Sequence, residues 1–432
     1  MKKKLLGMVM CVTMVAGLLA GCGSKDAQTV APSTGTDEKA QTEQAAEATD
    51  TKSEEAAAAT GNVEIWYYWE TVGHQEALNH IIEEFNTSNK EGIKVEAKYV
   101  PFADFKKQLS IGASADELPD LVILDNPDHA SYAAMGVFAD LTGRFDVSNY
   151  YDGPINSCTL DGKLYGIPFG SNDLVLFYNK DMLDAAGCEV PTTWDELLAT
   201  SKACTTDKVS GFAHCGVQNE EGTFNYLLWQ WSTGATSYEI GTENGIKALA
   251  QVQKMIQDGG MTKEMINWTQ GDTMNQFISG NLAMMINGTW QVPTMREEVP
   301  DLNWGVAPIP QDAVQASGLG GENYAVIADG NEEAAIKFLE YATSKDTCLY
   351  MMNAMGYISS DSTIAEGQFD GDEVYQVFVD EMKYANARGP LPEWPDISDA
   401  ISLAYNEVIT GASTPADAAA KAQATIDSII GQ

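Results

Sequence analysis

The chain has 432 residues and a formal net charge of −37 at pH 7, from 62 acids against 25 basic residues. That surplus repels nucleic acid and suits solubility at a crowded surface, so nucleic acid is not an expected partner. Seven cysteines without a CxxC and four histidines without an HExxH indicate neither a disulfide framework nor a zinc site; no metal and no cofactor is expected.

The chain opens MKKKLLGMVMCVTMVAGLLAGCGSK. Lys2, Lys3 and Lys4 precede an uncharged stretch from Leu5 to Cys22 that is broken by Gly7, Gly17 and Gly21. A membrane span needs about 20 mostly apolar residues, so a secretory leader over 1–21 is the better reading. Leu19-Ala20-Gly21-Cys22 resembles a bacterial lipobox, which implies cleavage before Cys22 and acylation of its thiol. Residues 22–61 then read as a lipidated Cys and an acidic tether. The stretch 23–60 holds eight acids, three lysines and no aromatic residue. Such a composition buries too little apolar surface to offset its ordering entropy. The folded part is expected outside the cytoplasm, anchored to the outer face of the cell membrane.

About 370 residues follow, too many for one compact core, which suggests two lobes. VEIWYYWE (63–70) starts as an alternating strand and ends in four aromatics and an acid. EALNHIIEEFN (76–86) carries apolar residues at helical spacing, and IKVEAKY (93–99) alternates as a strand. FADFKKQLSIGASA is a second helix. PDLVIL (119–124) is a continuous apolar run, the pattern of a buried parallel strand. This βαβαβ order predicts an α/β lobe with a mainly parallel sheet. Ligands of such sheets bind beyond the carboxyl ends of the strands. Tyr68, Trp69, Glu70, Asp125, Asn126 and Asp128 therefore line one rim, with Trp66 assigned to packing.

In GKLYGIPFGSNDLVLFYNKDML (162–183), Leu164 to Ile167 and Leu174 to Tyr178 read as two strands. Gly170-Ser171-Asn172 forms a break that can serve as a crossing between lobes. Thr193-Trp194-Asp195-Glu196 is a capping box opening a helix. EGTFNYLLWQWSTGA (221–235) is an aromatic-rich helix, and NLAMMINGTW (281–290) a strand running into a loop. GLGGENYAVIA reads as a strand after a double glycine. Thr414 and Pro415 start the last helix as N-cap and N1. There is no internal repeat and no second linker, so the lobes are interwoven: 62–169 with 309–352, and 170–308 with 353–432.

Taken in order, VEIWYYW, FNTSNKEGIKVE, LPDLVILDN, DGKLYGIPFGSNDLVLFYNKDML, PTTWDELL, FISGNLAMMINGTW and WGVAPIPQ resemble the extracellular solute-binding proteins of sugar ABC importers, the family that includes maltose-binding proteins. The resemblance spans about residues 62–432 plus the lipobox. It implies a two-lobed, periplasmic-binding-protein-like α/β fold (class II) whose lobes close over a ligand by hinge bending. It also implies a carbohydrate ligand, with an oligosaccharide favoured by the spread of aromatics, ABC permease subunits as partners, and a monomer. Many relatives carry a small or acidic polar residue where Gly170 stands.

A pyranose offers an apolar C–H face to aromatic rings and a hydroxyl edge to polar side chains. By motif position, the further candidates are Asn172 at the first crossing, Trp229 on the aromatic-rich helix, and Asn287 and Trp290 after the MMINGTW strand. Glu322, Asn323 and Tyr324 follow the double glycine, and Arg388 and Trp394 lie in RGPLPEW. Trp194 and Trp304 are assigned to the core. No GxSxG, P-loop or metal motif supports an enzyme. A polyamine or another small solute is the alternative ligand, because Glu70, Asp125, Asp128 and Glu322 would suit a cation. One disulfide, Cys204–Cys215, is left open.

Overall fold

The computed structural model describes residues 61–115 and 117–431. The leader, Cys22 and all of the tether except Gly61 lie outside the described residues. The first strand, β1 (Asn62–Tyr67), pairs in parallel with β2 (Lys94–Tyr99) and β3 (Leu121–Asp125). Between them run α1 (Val72–Ser88) and α2 (Phe102–Ala115). The helical spacing read in the sequence is the buried face of α1: Leu78, Ile81, Ile82 and Phe85 pack under the sheet. All five residues of β3 are buried, as a strand covered on both faces requires.

Two hydrophobic cores organise the described chain. The first holds Ile65, Leu78, Val122, Phe169, Tyr324 and Phe338; the second holds Phe177, Trp194, Phe212, Trp229, Trp394 and Tyr405. Trp290 packs against both. One seven-strand path runs through both lobes, in the order β2, β1, β3, Ser317–Val326, Ile167–Asn179, Leu282–Gly288, Ser210–Ala213.

The stretch read as two strands with a break is one strand, Ile167–Asn179. Its start (Ile167, Phe169) belongs to the first core and its end (Leu174 to Phe177) to the second. Gly170, Ser171 and Asn172 keep their ladder partners, because Glu322, Gly321 and Gly320 lie directly opposite. A crossing between lobes therefore needs no turn here. A side chain at Gly321 (φ +144) would strike the Gly170 carbonyl, and one at Gly320 would strike the Asn172 amide. The double glycine sits inside the strand Ser317–Val326, where it lets the two crossing strands meet. Gly170 is itself confined: a Cβ there would lie 2.6 Å from the Met352 sulfur.

The core memberships also place the later crossings. Ile309 and Ala316 pack in the second core, whereas Tyr357 and Ile364 pack in the first. The chain thus returns to the first lobe between 316 and 324, along the strand Ser317–Val326, rather than at 309. It leaves again after 364 rather than at 353. The capping box at Thr193 forms in full, with Glu196 accepting from the Thr193 backbone N–H at 3.2 Å. Thr414 caps the last helix, Pro415–Ile430. All five described cysteines are free thiols, so Cys204 and Cys215 are not bridged.

Candidate functional site

A cavity of about 140 Å³ lies between the lobes, at the carboxyl ends of β1 and β3. It is lined by eight of the residues singled out from the sequence: Tyr68, Trp69, Glu70, Asp125, Asn172, Trp290, Glu322 and Arg388.

The aromatic end of VEIWYYWE is divided between two tasks. Trp66 lies on the far side, with its indole N–H donating to Glu64 at 2.6 Å and the Lys98 ammonium 4.2 Å from its ring. Tyr68 is wedged edge-on between Phe102 and Phe105, and Trp69 lies against Phe169. That packing fixes both polar tips on one atom. Tyr68 Oη donates to Glu322 Oε1 at 2.9 Å, and Trp69 Nε1 donates to the same oxygen at 3.4 Å. Tyr357 Oη adds a third bond at 3.0 Å. The other carboxyl oxygen, Glu322 Oε2, is buried without a partner in the protein. Glu322 is 5% exposed. Burial, then the neighbouring Asp125, raise its pKa to about 8, against the pull of the three donors.

Asp125 sits opposite Glu322 in the ladder between β3 and the strand Ser317–Val326. Like charges in that position repel, and Arg388 relieves one of them. Its guanidinium meets Asp125 in a fork, Nη1 to Oδ2 and Nη2 to Oδ1, both at 3.0 Å. Nη1 also donates to Glu220 Oε1 at 2.8 Å, and the group lies 3.9 Å from the Phe224 ring centre. Behind this wall Lys106 Nζ is 2.7 Å from Asp128 and 3.8 Å from Glu220. Asp128 is buried, which raises its pKa to about 7 even with Lys106 beside it. Asp125 and Lys106 belong to the first lobe. Glu220 belongs to the second, and Arg388 leads into its helix Trp394–Thr410. Two ion pairs therefore span the cleft.

The other seven candidates do not line the cavity. Trp394 Nε1 donates to both oxygens of Glu220, and Asp128 holds Lys106, so both brace the wall from behind. Asn287 donates to the Gln270 carbonyl at 3.0 Å and accepts from Gln291, which orients two lining residues. Asn126, next to Asp125 in sequence, is buried with Oδ1 unpaired. Asn323 donates to Ser157, and Tyr324 is enclosed in the first core against Phe169. Trp229 packs on Trp194 in the second core and donates to His214 Nε2 at 3.0 Å. A rim position alone does not tell which face of a strand end meets the cavity, and aromatic size misled on the second-lobe helix.

On that helix (Glu220–Ser232) the lining residues are Glu221 and Phe224. They are three apart and share a face, a spacing visible in the sequence. Phe102, Gln270, Gln291 and Tyr357 also line the cavity and carried no sequence signal. Glu221 is pushed up to about 8 by burial and then by Glu70, which approaches from the other lobe. Glu70 Oε2 lies 4.0 Å from where a Cβ on Gly271 would stand. Trp290 folds back over its own turn, and only a glycine at 288 leaves room for its ring.

Residues 80–376 match the family described as bacterial extracellular solute-binding protein. The chain belongs to that family. The two-lobed α/β fold expected from the sequence is the fold of its solved members. A solute-binding protein of an ABC transporter from Thermotoga lettingae, bound with alpha-D-tagatose, is 26% identical with a TM-score of 0.80, over 86% of this chain and 100% of that one. A Listeria monocytogenes substrate-binding protein in complex with cycloalternan superposes with a TM-score of 0.76 at 22% identity, over 86% and 99%. Among curated relatives, a lactose-binding protein of Rhizobium radiobacter is 25% identical over 85% of this chain and 92% of its own. A galactooligosaccharide-binding protein of Bacillus subtilis is 23% identical over 83% and 87%.

Proposed function

We propose that this solute-binding protein captures a carbohydrate outside the cell and delivers it to the permease of an ABC importer. One observation carries the reading. Aromatic rings from both lobes, Trp69 and Trp290 among them, share a small cavity with fixed polar groups, Asn172, Gln270, Gln291 and Glu322. Rings suit the C–H face of a pyranose and fixed polar groups its hydroxyls. The cavity is small beside the roughly 300–1,000 Å³ of pockets that take drug-sized ligands. It encloses one end of an oligosaccharide, and the remainder extends through the mouth or holds the lobes wider. Binding without bond cleavage agrees with the state of the carboxyls, since Asp125 is engaged by Arg388. The protein works as a monomer, held to the outer face of the membrane by acylated Cys22.

The test is a thermal-shift screen of the full-length protein in detergent against monosaccharides, α- and β-linked oligosaccharides and polyamines. A ligand at 100 times its Kd adds about 2.7 kcal/mol, a clear rise in Tm. The expected result is a rise with one sugar class that is lost in Trp290→Ala, measured against that variant's own unliganded Tm. A rise with polyamines alone would sink the carbohydrate reading.

A further inference from the structure

The cleft is short of positive charge. Four carboxyl side chains line it, Glu70, Asp125, Glu221 and Glu322, against one cation, Arg388. Arg388 is already committed, to Asp125 and Glu220. Lys106, behind the wall, is committed to Asp128 and Glu220. Those two cations thus face three acids before Glu70, Glu221 or Glu322 is counted. Among the described residues no ion pair joins any of these last three to Lys or Arg.

Two further features point to what is missing. Glu322 Oε2 is buried and unpartnered at the cavity wall, while Oε1 is saturated by Tyr68, Trp69 and Tyr357. Glu70 and Glu221 approach from opposite lobes, so closing the cleft brings two acids together. A buried carboxylate without a cation is costly. A sugar hydroxyl offers it one hydrogen and turns its own lone pairs towards further acids. An ammonium offers three donors and no acceptor, with a full positive charge. It would also draw Glu70 and Glu221 towards one shared cation, favouring the closed form. The rings beside these acids, Trp69 and Trp290, suit a sugar face and a cation equally.

Building on the carbohydrate reading above, we propose that the ligand is an amino sugar, a saccharide carrying a protonated primary amine that is held by Glu322 with Glu70 and Glu221. The experiment is calorimetric titration of the full-length protein in detergent at pH 7 with matched pairs: glucosamine and glucose, galactosamine and galactose, mannosamine and mannose, and the β-1,4 disaccharides of glucosamine and of glucose. Spermidine completes the set. The amine member of at least one pair is expected to bind about tenfold or more tightly than its neutral partner, the scale of one charge-assisted hydrogen bond. Glu322→Gln should erase most of that advantage while retaining the acceptor for Tyr68, Trp69 and Tyr357. Glu70→Gln, at the exposed rim, should reduce it in a protein whose core is untouched. Neutral members binding as well as or better than their amines would overturn the amine and leave the carbohydrate reading intact. So would an advantage unchanged in both variants. Binding of spermidine with no sugar bound would overturn both readings together, whereas no binding across the set would overturn the amino sugar and leave the carbohydrate reading to the wider screen above.

Discussion

Two corners of one cavity, directly opposite each other in the ladder, treat a buried carboxylate in opposite ways. At Asp125 the charge is answered twice over: by the Arg388 fork, and by a network that continues through Glu220 to Lys106. At Glu322 the protein supplies three neutral donors to one oxygen and nothing to the other. The Asp125 corner ties the first lobe to the second, and its geometry is complete without a ligand. The Glu322 corner stays incomplete until something else arrives. The contrast separates a structural clamp from a receptor group, although both are buried acids on the same cavity wall.

The clamp can be broken outright. Arg388→Met keeps the bulk of the side chain but leaves Asp125 and Glu220 buried without their cation. Removing one partner of such a pair costs about 3–5 kcal/mol, so the urea midpoint should fall by the equivalent amount. A change under about 1 kcal/mol would mean that the two carboxyls simply take up protons, and the contrast with Glu322 would dissolve. Lys106→Met is the milder version. Its side chain is 34% exposed and its bond to Asp128 is the shorter of its two. Solvent screens part of the loss, and Asp128 is already raised to about 7 by burial. A loss of about 1–2 kcal/mol is expected at pH 7, shrinking at pH 5 as Asp128 protonates, read from urea unfolding at the two pH values.

How much of this was legible in the sequence differs between the two corners. The elements were largely readable, because periodicity reports burial: FADFKKQLSIGASA is the helix Phe102–Ala115, and LVIL of the apolar run PDLVIL lies in β3. Strand ends were readable as well, and Tyr68, Trp69, Glu70 and Asp125 followed from them. The charge network was not. Arg388 and Asp125 are 263 residues apart, and Glu220 is 168 from Arg388, so no local pattern couples them. Tyr357 reaches Glu322 from a short segment after Gly356 that has no aromatic run to mark it. The crossing strand is hidden in the sequence for a related reason. Gly170-Ser171-Asn172 has the composition of a turn, yet each residue is held by a strand that arrives about 150 residues later.

The receptor corner makes the smallest change in stability but the sharper prediction, because its sign with pH opposes the usual behaviour of a paired acid. Glu322 has an ordinary value of 4.5 and stands at about 8 in the fold. Between those values the folded state holds a proton that the unfolded chain has released, so its contribution is fully present below about pH 4.5 and is lost as pH rises towards 8. Glu221, also raised to about 8, acts in the same direction. Unliganded protein should therefore lose stability as pH is raised through this window. Glu322→Gln, which cannot ionise and keeps an oxygen for Tyr68, Trp69 and Tyr357, should change stability by less than about 1 kcal/mol at pH 5. By pH 8 it should be the more stable of the two proteins, because its curve lacks part of the decline. Urea midpoints for both proteins at pH 5 and pH 8 decide it. Parallel curves would place the Glu322 proton, or its cation, elsewhere than in the unliganded cleft. Converging curves on addition of ligand would show the solute replacing that proton, which separates a receptor group from a clamp more directly than either structure or affinity alone.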